Sequence, residues 1–305
     1  MNPALPRPLL ATLLLACTGL SVSACAAPQQ APAGMQSGPE VIAHRGGAMH
    51  RPENTLPAFD HALELGAEIL EFDMVMTADD EVVVYHDGTI NPAICVPDSG
   101  EAVSAPVRQL TYAQTRELDC GSQVRPIYDV DGFVAVPGAR MPALGELLDH
   151  LQDGDTTLYG ETKMPKPVPG VEDVDPVRFA TALEAAIRER GLEDRFILQS
   201  SDYRTIDAMH DINPRIRTCL LRAQQLERPY LDAVRRHHAS CILLSHRFAD
   251  ASDVRELQDA GVLVYSDVVD TAEDWERYVE MGMDAIFTNH PAGAIDFLRE
   301  RGLRD

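Results

Sequence analysis

Apolar residues fall along this chain in short runs rich in β-branched side chains, and between them lie longer stretches whose apolar positions recur every three or four residues. A short apolar run bounded by polar residues or glycine reads as a strand, and the longer period reads as an amphipathic helix. The runs are Val41–His44, Ile69–Asp73, Thr157–Glu161, Phe196–Ser200, Ile216–Leu220, Cys241–Ser245, Val262–Ser266 and Ala285–Thr288. Helical patterns such as Leu56–Leu65, Pro176–Arg190, Ala251–Ala260 and Ala272–Met281 separate them. Eight strands alternating with helices predict an α/β protein with a parallel sheet, a TIM (β/α)8 barrel.

A ninth run, Glu81–His86, breaks the alternation. Only Ala78-Asp79-Asp80 separates it from the run before, and a parallel neighbour needs a crossover of a dozen residues or more, so the pair is expected to form an antiparallel hairpin. Folding back around Asp79 sets His86 roughly opposite Phe72 and Asp73. Residues 88–142 then contain no barrel strand and one short helix near Thr111–Leu118, which predicts a small inserted subdomain.

The N-terminus does not belong to the barrel. An apolar segment from Leu9 to Ala24 ends in Val22-Ser23-Ala24-Cys25, the length and ending of a secretory signal rather than a membrane span. The cysteine after Ser-Ala resembles the acylated cysteine of bacterial lipoproteins; plain cleavage after Ala24 or Ala26 would instead leave a soluble protein. The expected organisation is a signal peptide over 1–24, a flexible tether over 25–39 and the barrel over 40–305. Export to the periplasm or cell surface, with membrane attachment through lipidated Cys25, is the matching expectation. In such a compartment Cys95 and Cys120 are able to staple the insertion, whereas Cys219 and Cys241, inside apolar runs, are expected to be buried thiols.

Charge narrows the partners. A formal net charge of −22 excludes nucleic acid as the expected ligand, since phosphate backbones are bound by clustered Lys and Arg, and it suits divalent cations. Only two of the 26 basic residues are lysines, Lys163 and Lys166, so lysine here marks places where a compact charge matters.

Active sites of TIM barrels lie at the C-terminal strand ends. Those ends carry His44-Arg45, Glu71-Phe72-Asp73, His86-Asp87 from the hairpin, and Glu161-Thr162-Lys163. Residues two apart on a strand share a face, so Glu71 joins Asp73 and Glu161 joins Lys163. Three carboxylates at one mouth need a cation, and an all-oxygen set suits Mg²⁺ or Ca²⁺.

His44-Arg45-Gly46, Glu53-Asn54-Thr55, Glu71-x-Asp73, His86-Asp87 and Glu161-x-Lys163 together resemble the motif set of the glycerophosphodiester phosphodiesterases, over roughly Val41 to Phe297. Asp119-Cys120-Gly121-Ser122 and Val136-Pro137-Gly138-Ala139-Arg140-Met141-Pro142 resemble their exported bacterial branch. The resemblance implies a barrel with an insertion after the second histidine, and hydrolysis of small-molecule glycerophosphodiesters to an alcohol and sn-glycerol 3-phosphate. It implies one divalent cation, Ca²⁺ or Mg²⁺, on Glu71, Asp73 and Glu161. It also implies His44 and His86 as the acid–base pair, acting through a cyclic phosphate, and Arg45 and Lys163 on the phosphoryl oxygens. Tyr265 is expected among the substrate contacts. Asn289 stands where the family usually has Asp, Tyr265-Ser266-Asp267-Val268 replaces its usual Trp-Thr-Val-Asn, and Gln199-Ser200-Ser201-Asp202 lacks its usual Phe. These departures leave open which alcohol is released. Two rival readings are a phospholipase D- or C-like activity on intact or lyso-lipids, marked by an apolar patch at the mouth, and a non-catalytic surface-binding lipoprotein, marked by loss of a ligand or histidine.

Overall fold

The computed structural model describes Met1 and residues 38–99, 103–128, 130–222 and 226–305. The expected signal peptide and most of the tether therefore lie outside the described residues. Among the described residues, no helix is long and apolar enough to cross a membrane.

In chain order the elements are β1 (Glu40–Ala43), α1 (Leu56–Leu65), β2 (Ile69–Met76), β3 (Val82–Val84), β4 (Val96–Pro97), α2 (Tyr112–Thr115), β5 (Leu118–Asp119) and α3 (Leu144–His150). Then follow β6 (Thr157–Thr162), α4 (Pro176–Glu189), β7 (Phe196–Ser200), α5 (Tyr203–Ile212), β8 (Arg217–Leu220) and α6 (Tyr230–Arg236). The chain finishes with β9 (Cys241–Leu244), α7 (Ala251–Asp259), β10 (Leu263–Val268), α8 (Ala272–Met281), β11 (Ala285–Thr288) and α9 (Pro291–Glu300). The parallel strands run β1-β11-β10-β9-β8-β7-β6-β2, and a β1–β2 pairing closes the ring. This is the expected TIM barrel.

Strand alternation builds the two halves of the interior. On β2, Leu70, Phe72 and Met74 face the helices and pack in the large outer core with Phe59, Leu158, Phe179 and Phe196. Ile69 faces the barrel axis, where Ile42, Tyr159, Ile197, Tyr265 and Phe287 fill the space. Glu71 and Asp73 follow Ile69 on that same inward face, one and two steps nearer the mouth. Tyr159 and Glu161 repeat the pattern on β6, and Ile197 and Gln199 on β7. The apolar lower layers are thus the floor on which the charged upper layer stands. Burying a side chain the size of Phe287 contributes roughly 2–3 kcal/mol, so this floor resists displacement.

The hairpin forms as expected. Met74 pairs with Val84 and Met76 with Val82, antiparallel, and Tyr85 donates its backbone N–H to the Asp73 carbonyl at 3.0 Å. That register sets His86 opposite Phe72. Beyond it, β4 and β5 form a two-stranded antiparallel ladder, and a disulfide joins Cys95 to Cys120 beside it. Ile90, Ile94, Val107, Leu118 and Met141 pack there on Val75, Val83 and Tyr85 as a separate small core.

Two expectations change. Cys219 and Cys241 are not thiols: they form a second disulfide across β8 and β9. Apolar runs hide this pairing because it depends on register, which places the two cysteines directly opposite one another with Cα atoms 4.5 Å apart. The first strand stops at Ala43, and His44–Gly46 forms a 3-10 turn with Arg45 in the left-handed region at φ 54°. Extended backbone cannot continue through that residue.

Candidate active site

The turn that ends β1 is held by the residues it serves. A left-handed conformation at a non-glycine residue costs roughly 1–2 kcal/mol. Arg45 offsets that cost through its backbone N–H and its guanidinium. Its backbone N–H donates to Glu71 Oε2 at 2.9 Å, its Nη1 donates to Glu53 Oε1 at 2.7 Å, and its Nε lies 3.1 Å from Asp73 Oδ2. Arg125, from the insertion, also pairs with Glu53. Asn54, itself at φ 59°, donates from Nδ2 to Asp73 Oδ2 at 2.8 Å and accepts the Asp73 N–H at 3.1 Å. Glu53-Asn54 is therefore a brace that locks β2 to the turn. Helix α1 starts after it, with Pro57 in its first turn and Gly66 closing it in the left-handed region.

Glu71, Asp73 and Glu161 each offer an oxygen, and the three lie within 4.8 Å of one another. Lys163 Nζ sits 2.7 Å from Glu161 Oε2 and 3.0 Å from Asp73 Oδ1. The Asp73 contact lies off the hydrogen-bonding direction, so Asp73 Oδ1 is buried without a hydrogen bond. Burial raises the Asp73 carboxyl, yet Lys163 and Arg45 overcome it and hold the group well below its ordinary range. Burial first, and then the Asp73 charge, push Glu71 well up. Burial also raises Glu161, with Lys163 opposing. One carboxylate oxygen without a hydrogen bond and two carboxyls raised by burial and by neighbouring carboxylate charge are what an oxygen-coordinated divalent cation would relieve. The residues present fit such an ion.

The two histidines have contrasting partners. His44 Nδ1 lies 2.6 Å from Asn289 Oδ1. The amide cannot turn, because Asn289 Nδ2 donates to Asp270 Oδ2 at 2.8 Å while its backbone N–H donates to Asp270 Oδ1 at 2.7 Å. His44 Nδ1 must then carry the proton, which leaves Nε2 with its lone pair, accepting from Arg45 Nε at 3.2 Å. Burial, and next the Arg45 charge, hold the His44 ring well below the usual imidazole range. His86 Nδ1 donates instead to the Asp87 carboxylate, which Asn91 Nδ2 also holds at 3.0 Å. The bond from His86 is the main reason that Asp87 is pulled down to about 2. One ring is kept neutral by burial and a neighbouring cation and is oriented by an amide; the other faces a carboxylate.

The profile of the Glycerophosphoryl diester phosphodiesterase family matches residues 44–293. The chain belongs to this family. It is an enzyme, a phosphoric diester hydrolase. A glycerophosphodiester phosphodiesterase of Caldanaerobacter subterraneus subsp. tengcongensis is 30% identical over 86% of this chain and 98% of its own. One from Bacillus subtilis is 26% identical over 82% and 83%. Among solved structures, a candidate glycerophosphoryl diester phosphodiesterase from Silicibacter pomeroyi superposes with a TM-score of 0.79 at 28% identity, covering 89% of this chain and 96% of that one. An Oleispira antarctica phosphodiesterase, solved with the product sn-glycerol-3-phosphate, shares the fold at a TM-score of 0.70 and 20% identity, over 86% and 97% of the two chains.

Within this phosphodiesterase, seven of the expected site residues meet at the mouth: His44, Arg45, Glu71, Asp73, Glu161 and Lys163, joined through the contacts above, and His86, brought there by the hairpin register so that its charge acts on Asp73. Tyr265 is not among them. It pairs in register with Ala285, which pairs with Glu40, the first residue of β1, so Tyr265 stands about four residues, ~13 Å, below the mouth. Its ring packs edge-on against Tyr159 in the buried floor. A strand-end reading placed it too high because β10 runs on to Val268. Three polar residues belong to the site without having been expected there. Asn289 and Asp270 orient His44, and Gln199 donates from Nε2 to Glu71 Oε1 at 2.8 Å. Asn289 was visible at the end of β11, but only the closed barrel brings it beside β1.

Proposed function

We propose that the enzyme hydrolyses glycerophosphodiesters to an alcohol and sn-glycerol 3-phosphate, with His44 as general base and His86 as general acid. The observation that carries the assignment is the contrast in their partners, an amide with a neighbouring guanidinium for His44 and a carboxylate for His86. Glu71, Asp73 and Glu161 would hold one divalent cation, Ca²⁺ or Mg²⁺, which supplies Lewis-acid polarisation of a phosphoryl oxygen and a hydroxyl. His44 Nε2 removes the proton from the glycerol 2-hydroxyl, whose oxygen then bonds to phosphorus. Arg45 and Lys163 balance the charge that grows on the phosphoryl oxygens. The bond from phosphorus to the leaving oxygen breaks, and His86 gives that oxygen its proton. The product is a cyclic phosphate. Water opens it with the two rings exchanging roles, His86 as base and His44 as acid.

The names of the relatives and the complete histidine and carboxylate set support this reading over a binding protein without activity. The test is single-turnover kinetics on a glycerophosphodiester and on its 2-deoxy analogue, with and without chelator. The analogue is expected to bind and to turn over at least 100-fold more slowly; rapid hydrolysis would mean that water attacks directly and would overturn the cyclic route. The Val22-Ser23-Ala24-Cys25 sequence supports export and lipid anchoring. Cys25→Ser is expected to release the protein from membranes, and a mature chain beginning at Ala27 would overturn the anchor.

A further inference from the structure

A cavity of about 630 Å³ opens from one side of the site. Its walls include His86, Glu161 and Lys163 but not His44. On the roles assigned above, on which this inference rests, the general acid protonates the departing oxygen, so the space beside His86 receives the released alcohol and not the glycerol. The cavity continues from these residues to the exposed Lys166 and Arg222, with Ser104 and Ser201 also on its walls. Lys166 is the second of the only two lysines in the chain, and both lysines line this one cavity.

The charge balance of that outer part is specific. The carboxylates on the walls are Asp87, engaged by His86 and Asn91, and Glu161, engaged by Lys163. Among the described residues on its walls, Lys166 and Arg222 are thus the charges left to face a bound alcohol, in a protein whose net charge is −22. A quaternary ammonium such as choline is recognised by an aromatic cage. No Phe, Tyr or Trp is among the described residues that line the cavity. A planar guanidinium, a compact ammonium and the hydroxyls of Thr89, Ser104 and Ser201 are instead a donor set for a phosphate.

We propose that this cavity selects glycerophosphodiesters whose released alcohol itself carries a phosphate, with Lys166 and Arg222 as the specificity-determining residues. The apolar side chains that line it, Ile90, Pro92, Met164, Pro165 and Val168, flank the path without forming the cationic recognition that choline esters need.

The experiment compares kcat/KM for three substrates at low ionic strength. They are glycerophosphoglycerol, the same compound phosphorylated on its terminal hydroxyl, and glycerophosphocholine. The wild-type enzyme is expected to prefer the phosphorylated substrate over the choline ester by about 10-fold or more, mainly through KM, and the preference is expected to shrink as salt screens the exposed charges. The double variant Lys166→Glu/Arg222→Glu is expected to reverse the order of these two substrates. Equal or better use of the choline ester by the wild-type enzyme overturns the proposal, as does a rank order unchanged in the folded double variant. Hydrolysis of none of the three would instead overturn the underlying assignment of glycerophosphodiesterase activity, so the two failures are distinguishable.

Discussion

His44 owes its tautomer to Asn289, an amide in a position where a carboxylate would also fit. Asn289→Asp puts a formal negative charge against Nδ1 and stabilises the charged ring. The His44 pKa then rises from its depressed value, and the ascending limb of kcat/KM against pH moves to higher pH. An unmoved limb would show that His44 is not the base. Asn289→Ala removes the orienting contact and is expected to lower kcat by roughly 10–100-fold, the usual cost of losing a positioning partner. A second histidine reports on stability. His50 donates from Nε2 to His290 Nδ1 at 3.0 Å, and burial, followed by the His290 charge, depresses its pKa to about 4. Its folded pKa lies below the unfolded 6.5, so the unfolded chain binds more protons in between. The neutral-ring contribution is complete above pH ~6.5 and is lost as pH falls through about 4. Calorimetry should therefore show the thermal midpoint falling more steeply between pH ~7 and ~4 in the wild type than in His50→Gln.

Among the elements, the turn from β1 to α1 has the least freedom. Gly46 adopts φ 78°, and a Cβ there would lie 2.8 Å from Ala58 Cβ and 2.9 Å from the Ala58 carbonyl carbon. Gly46→Ala combines a left-handed alanine with a clash against helix backbone, about 3 kcal/mol together. Gly191→Ala is the control: Gly191 has φ 65° with nothing near its Cβ, so only the backbone cost of about 1 kcal/mol remains. Urea denaturation of the two variants measures the difference, and equal losses would show that the packing against α1 is not tight. The strands themselves were legible. Phe196–Ser200 and Ala285–Thr288 match the expected runs to the residue, and every residue of both strands is buried. His44-Arg45 looked like the end of a strand and is a turn, because apolar periodicity carries no information about φ.

For the whole molecule, the site sets function against stability. Glu71 and Glu161 are raised by burial and by neighbouring carboxylate charge, so the cation-free fold carries repulsion that a bound ion would relieve. An ion at about 100 times its Kd would stabilise the fold by ~2.7 kcal/mol. Glu71→Gln is expected to abolish turnover and the cation-dependent rise in thermal midpoint, while melting no lower than the cation-free wild type. Gln199, whose Oε1 has no partner, can turn to accept from the new amide. A cation-dependent rise that survives in Glu71→Gln would count against the carboxylate site. The sequence by itself determined the barrel, the hairpin that carries His86 and the residues at the strand ends, because those follow from local periodicity and from side chains two apart sharing a face. Only the tertiary structure decided what depends on register and closure. The Cys219–Cys241 bond, the descent of Tyr265 into the floor, and the Asp270–Asn289–His44 chain that orients the His44 ring all join residues on different strands. Their meeting is set by how the ring closes, and no local pattern along the chain encodes that.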